Sequence, residues 1–206
     1  MRPPGSPVTL QALADEAASC TRCPLAGGRT QVVFGVGNPE ADLLFVGEGP
    51  GREEDLIGEP FVGRSGRLLD RLMREELGLD RSQCYIANVV KCRPPGNRDP
   101  EPAEIESCRP YLDEQVALID PRVVVTLGNF ATRTLLSTTE GIRTLRGRAY
   151  PFRAGQLVPT YHPAFALRSG GEIMAEMRAD FVRAKRLLPR AAPLGDGPPA
   201  LARPPS

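Results

Sequence analysis

The segment Leu43-Leu44-Phe45-Val46-Gly47-Glu48-Gly49-Pro50-Gly51 decides the fold class. A run of large apolar residues that opens at once into a glycine-rich loop reads as a short strand covered on both faces, as in a parallel sheet. Three further runs repeat the pattern: Tyr85 to Val90, Val123 to Leu127 and Leu157 to Thr160. Helical periods lie between and after them. One starts near Ser65 and stops at Gly78, with Leu68, Leu69, Leu72, Met73 and Leu77 on one face. A second covers Pro102 to Ile119, with Ile105, Cys108, Leu112, Val116 and Ile119 facing in. Asn129 to Leu136 is a third, and Glu172 to Leu188, with Met174, Met177, Phe181 and Leu188 inward, a fourth. Thr9 caps a short helix reaching about Ala18. This alternation predicts an α/β three-layer sandwich: a central, mainly parallel four-stranded sheet flanked by helices, with right-handed crossovers. Ligands of such sheets sit beyond the carboxyl ends of the strands, so the loops after Val46, Val90, Leu127 and Thr160 are where chemistry is expected.

The chain has 206 residues, 41% apolar and 25% charged, enough to bury a core and too apolar for disorder to dominate. No internal repeat or long linker divides it, which predicts one domain over residues 1–188. The tail, residues 189–206, is rich in Pro, Ala and Gly and reads as disordered, as does the head, residues 1–7. There is no apolar run of membrane-spanning length and no signal pattern at the start, so the expected place is the cytoplasm with no membrane partner. The net charge of +1 conceals an asymmetry. Residues 1–120 hold 13 basic and 20 acidic side chains, a net of −7, while residues 121–206 hold 13 and 5, a net of +8. A positive C-terminal half suits a polyanion such as nucleic acid, unless folding pairs these charges with carboxylates.

Cys20 and Cys23 form a Cys-x-x-Cys pair, Cys92 and Cys108 bracket a proline-rich loop, and Cys84 sits alone at a strand edge. An odd count in a cytosolic chain argues against a disulfide framework. Zinc favours two close pairs and here only one is close; a four-iron cube takes one tight pair and two scattered members equally well. Spacing alone leaves cluster and zinc even. Cys84 reads as a small buried hydrophobe.

In the first loop, Pro50 and the non-helical reading of the residues up to Arg64 make a dinucleotide fingerprint, whose glycines open a helix directly, a weak reading. The glycines instead suggest backbone brought close to a ligand, with Glu48 among them. Phe61, between Pro60 and Gly63, is a core plug or a stacking platform. Asn88, near the end of an apolar strand, needs hydrogen bonds to be buried, so it is a structural bridge or a ligand reader. His162, the single histidine, follows a core strand and is locked by Pro163.

Taken together, the GEGPG, EED and PFVG elements of residues 44–63, the NVVKCRPPGNR segment of residues 88–98, the Tyr161 to Ala164 motif and the four cysteines resemble the iron-sulfur uracil-DNA glycosylases usually called family four. The resemblance spans residues 12–188. It implies a DNA repair enzyme that flips uracil out of single- or double-stranded DNA and hydrolyses its N-glycosidic bond, leaving an abasic site. It also implies a [4Fe-4S] cluster on Cys20, Cys23, Cys92 and Cys108, with a monomer as the expected state. Phe61 would stack on the base, Asn88 would read its edge, and His162 would meet the charge on O2. Gly47 and Gly49 would line the approach, Glu54 would exclude thymine, and Asn97 would add a supporting hydrogen bond. An Asp that better-known glycosylases use to position water is replaced here by Gly49, which leaves Glu48 or a backbone carbonyl for that task. Arg93 and Arg98 are expected on phosphates, and Leu167 or Arg168 in the gap left by the flipped base. The competing readings are a non-enzymatic iron-sulfur or zinc module that binds nucleic acid, and a glycosylase of broader range on deaminated bases.

Overall fold

A computed structural model of the chain describes residues 9–188, so the tail and the head discussed above lie outside the described residues. Helix α1 (Leu10–Ala18) begins where the Thr9 hydroxyl accepts from the Ala12 N–H. The sheet has six strands: β1 (Val36–Gly37), β2 (Leu43–Gly47), β3 (Tyr85–Asn88), β4 (Val123–Leu127), β5 (Tyr150–Phe152) and β6 (Gly155–Thr160). Their order is β1-β3-β2-β4-β6-β5. The four expected strands form the parallel centre, β3-β2-β4-β6. Two antiparallel edges, β1 against β3 and β5 against β6, extend it beyond the four expected. Both edges are too short to carry an apolar period, and Pro151 within β5 is tolerated because an edge strand has an unpaired side.

Alternation along each central strand feeds two cores. Leu44 and Val46 of β2, Val124 of β4 and Leu157 of β6 pack on one side with Leu13 of α1, Leu112 and Val116 of α4 (Pro102–Ile119) and Ala131 of α5 (Asn129–Leu136). Leu43, Phe45, Val125 and Val158 face the other way, onto Leu69 and Leu72 of α3 (Arg64–Leu72) and Phe181 of α8 (Gly171–Leu187). The Phe45 and Phe181 rings stack at 5.7 Å. Each such side chain contributes about 1.5–3 kcal/mol of burial. Helix α3 runs on through a π-helical segment, Met73–Leu77, to the left-handed cap Gly78.

The loop after β2 is not non-helical as read from sequence: Gly51 caps α2 (Arg52–Ile57), which ends at the left-handed Gly58. Three acidic residues in its first turn, Glu53, Glu54 and Asp55, complement the helix dipole and offset the lack of an apolar period. Strand β3 ends at Asn88, two residues short of Val90, yet Val89 and Val90 still donate to the Gly47 and Glu48 carbonyls and hold the two strand ends side by side. Two short helices absent from the sequence reading, α6 (Ile142–Leu145) and α7 (Pro163–Ser169), complete the chain order. Asp180 of α8, fully buried, takes bonds from Arg146, Thr160 and the Gly147 N–H, which anchors the carboxyl end of β6. No helix among the described residues is long and apolar enough to cross a membrane.

Candidate active site

The strand order reverses about β2, and a cavity of about 450 Å³ opens at the carboxyl ends of β2, β3 and β6. It gathers Glu48, Gly49, Glu54, Phe61, Asn88, Asn97, Arg98, His162 and Arg168 from segments far apart in the chain. Gly47, expected to line the approach, is buried and absent from the cavity wall, but a Cβ there would stand 2.4 Å from Asn88 Oδ1 and 2.5 Å from the Phe61 ring. At Gly49 a Cβ would press on Val90 at 2.6 Å. Both positions need a residue without a side chain.

Asn88 ends β3 and is buried. Among the described residues its Oδ1 is the one buried side-chain oxygen or nitrogen with no hydrogen-bond partner. Such an atom costs about 1–3 kcal/mol unless something meets it. Its own carbonyl is held by the buried Lys91 Nζ at 2.8 Å, and Lys91 also donates to Gln115.

His162 caps α7 by accepting the Ala164 N–H at Nδ1, 3.2 Å away. A neutral ring that accepts at Nδ1 carries its proton on Nε2. Burial, aided by the Arg168 charge, pushes its pKa down to about 4, so the neutral form holds across physiological pH. The Phe61 ring lies beside it, centroids 5.7 Å apart and tilted by 33°. Phe61 has a left-handed backbone, φ 56°, unusual for an aromatic residue. Arg81 over-determines that turn: it donates to the Pro60 carbonyl at 2.6 Å and the Phe61 carbonyl at 3.0 Å while paired with Asp70.

Burial, with Asp99 adding repulsion, pushes the Glu48 carboxyl up to about 7. Asp99 lines the same cavity and was not singled out from sequence, where it reads as one more polar residue of a proline-rich loop. Glu54 accepts the Gly63 N–H at 3.4 Å. Asn97, also left-handed at φ 56°, accepts from Arg93 Nε at 2.6 Å. Arg98, expected on a phosphate, lines the cavity with its fork held by Glu104, at 2.7 and 2.9 Å, and Glu101 beside it. Leu167 is not in the cavity wall but stands 41% exposed in the grooves beside it.

The cysteines form a second constellation. Cys20 and Cys23, after α1, meet Cys92 from the loop after β3 and Cys108 from α4 around one small cavity. Arg29 Nη1 points at Cys92 Sγ (3.4 Å) and the Lys91 N–H at Cys108 Sγ (3.2 Å). Among the described residues no group of three or more His, Cys, Asp or Glu side chains is arranged to hold a metal ion. Cys84 is fully buried in the opposite core, which pushes its thiol up to about 12.

Comparison with known proteins gives this geometry its context. The model of the Uracil DNA glycosylase superfamily matches residues 34–186. A type-4 uracil-DNA glycosylase of Sulfurisphaera tokodaii is 46% identical over 77% of this chain and 76% of its own. Those of Saccharolobus solfataricus (43%, over 87% and 86%) and Archaeoglobus fulgidus (39%, over 90% and 96%) are similar to it as well. The chain belongs to the uracil DNA glycosylase superfamily, in its type-4 branch.

Proposed function

We propose that the chain is a DNA repair enzyme that hydrolyses the N-glycosidic bond of uracil in DNA, and that the cavity at the strand ends receives the flipped base. The orphaned Oδ1 of Asn88 carries this reading. Uracil N3–H would donate to that oxygen while Asn88 Nδ2 donates to O4. Cytosine offers an acceptor at N3 and a donor at C4, so both contacts become repulsive. Phe61 forms a face for the ring, and Gly47 leaves room for both Phe61 and Asn88 to take their places. Glu54, held toward the cavity by Gly63, serves as the wall against a C5 methyl.

The bond from C1′ to N1 breaks as water adds to C1′, and the electron pair leaves with uracil, its charge gathering on O2. The proton on His162 Nε2 meets that oxygen. A neutral donor set in place beforehand is typically worth about 2.7–4 kcal/mol at the transition state. Glu48, with a pKa near 7, accepts the proton that the water sheds. Asn97 steadies the loop beside the base through Arg93. Arg98, engaged with Glu104, shapes the same loop; Leu167 and Arg168 stand at the mouth for the gap in the duplex.

Cys20, Cys23, Cys92 and Cys108 suit a [4Fe-4S] cluster. A tetrahedral zinc needs sulfurs within about 2.3 Å of one point, whereas a cube binds each thiolate to its own iron and accepts wider spacing. The N–H groups of Arg29 and Lys91 aimed at two sulfurs suit bound thiolates. When bound, this group supplies a cross-link between the chain start and the loop that carries Asn97. One chain holds the whole cavity, so a monomer suffices. The test is a uracil-containing oligonucleotide treated with the protein and then alkali: strand scission at uracil and not at cytosine is expected, and binding without scission would leave only a nucleic-acid-binding module.

A further inference from the structure

Arg22, Arg81, Arg98, Arg109, Arg122, Arg146, Arg178 and Arg183 are ion-paired. Of the arginines that make no ion pair among the described residues, four share one face of α3 and its π-helical extension. Arg64, Arg67, Arg71 and Arg74 recur at intervals of three and four, all exposed, and none makes an ion pair among the described residues. Carboxylates stand in sequence where helical neighbours would neutralise them, Asp70 for Arg74 and Glu75 for Arg71. The fold draws these away: Asp70 pairs with Arg81, and Glu75 and Glu76 pair with Arg178 of α8. Four like charges are thus left in a row, an arrangement that costs free energy unless an external anion meets it.

The row leads to the base cavity. A groove of about 410 Å³ is lined by the four arginines with Leu68 and Leu167. A second groove, sharing Arg64 and Leu167 with it, runs on to Ser65, Asn97 and Arg168 at the cavity mouth. Arg52, Glu53 and Glu54 of α2 line its other side. From Arg64 to Arg74 the row is about 15 Å long at 1.5 Å per residue. That length is enough to meet two or more consecutive phosphates of one DNA strand.

We infer that the α3 arginine row is the track for the DNA backbone flanking the flipped nucleotide, with Leu167 at the turn from track to cavity. This rests on the glycosylase reading. Its test is binding of a duplex carrying a tetrahydrofuran abasic analogue, followed by anisotropy across a salt series, for Arg67→Gln/Arg71→Gln, for Arg67→Glu and for the control Arg186→Gln. Arg186 is an exposed cation on α8, away from the grooves. The double variant is expected to lower the slope of log K against log salt by about 2, at about 0.9 per phosphate contact. It should raise KM for uracil-DNA about tenfold or more with kcat and melting temperature unchanged. Arg67→Glu should weaken binding further than loss of one charge, and Arg186→Gln should change nothing. An unaltered slope in the double variant, or an equal loss in Arg186→Gln, overturns the track while uracil excision by the wild type still stands. A wild type that neither binds nor cuts uracil-DNA overturns the glycosylase reading and the track with it.

Discussion

The base cavity and the cysteine cavity are both served by the segment after β3, yet their polar groups are in opposite states. In the base cavity Asn88 Oδ1 has no partner, Glu48 is half-buried with the Asp99 charge nearby, and Phe61 sits in a strained turn. Around the cysteines the donors are already matched: Arg29 binds the Cys20 carbonyl as well as Cys92 Sγ, and the Lys91 N–H meets Cys108. Unmet hydrogen-bonding capacity marks the place where a ligand supplies the missing partner; satisfied capacity marks a structural joint. Lys91 stands between the two, its backbone on the cysteine side and its Nζ on the Asn88 carbonyl.

The sharpest way to break this contrast is to disturb the joint. Cys92→Ala, or chelation of the purified protein, should abolish broad visible absorption. It should also cost several kcal/mol of stability, roughly 10 °C or more in Tm, because a bound metal group contributes folding free energy. Calorimetry beside single-turnover rates checks it, and a stable but slow Cys92→Ala protein would erase the distinction. At the other pole, His162→Ala should lower kcat by about 10²–10³-fold, the value of one aimed donor at developing charge. Its Tm should shift by only a few degrees, from the lost cap to α7.

A smaller effect sharpens the geometry of the cavity. Gly47→Ala puts a methyl against Asn88 Oδ1 and Phe61, which should cost about 1–3 kcal/mol of stability. It should also raise the Kd for free uracil by tenfold or more, read by calorimetric titration. The last is a pH effect. The Glu48 carboxyl must be ionised to take a proton, so kcat/KM should rise about tenfold per pH unit up to about 7 and flatten above it. Glu48→Gln should remove that inflection. His162, neutral down to about 4, should add none between 4 and 7. Stability moves the opposite way. Between about 4.5 and 7 the folded chain keeps a proton on Glu48 that the unfolded chain has released, so stability falls as pH rises through that window, and Glu48→Gln should lose this slope.

Elements with a strong local signal were legible, though β2, β3 and β6 end or begin one or two residues away from their apolar runs. Contiguous apolar runs marked β2, β3, β4 and β6, and α4 and α5 begin and end where their residues said they would. Edge strands of two and three residues and the short helices α2, α6 and α7 carry no period, so their existence depends on what they pack against. In the site, Asn88, Phe61, His162 and Glu48 could be named because each departs from its local pattern. Asp99 and Arg81 could not, because their roles come from a half-buried carboxylate and a strained turn supplied by other segments.

Charge shows the division most clearly. From composition the positive half of the chain is the C-terminal one, and the amino-acid sequence by itself determines that total, together with the apolar periods that build the sheet and the four cysteines. Which cations stay free is decided by contacts across the fold. Arg146, Arg178 and Arg183 of the basic half are consumed by Asp180, Glu176, Glu75 and Glu76, while Arg64, Arg67 and Arg71 of the acidic half are left bare. Hydrophobic burial is written residue by residue along the chain, whereas Coulomb energy depends on distances of a few ångströms that exist only after α3 and α8 have packed.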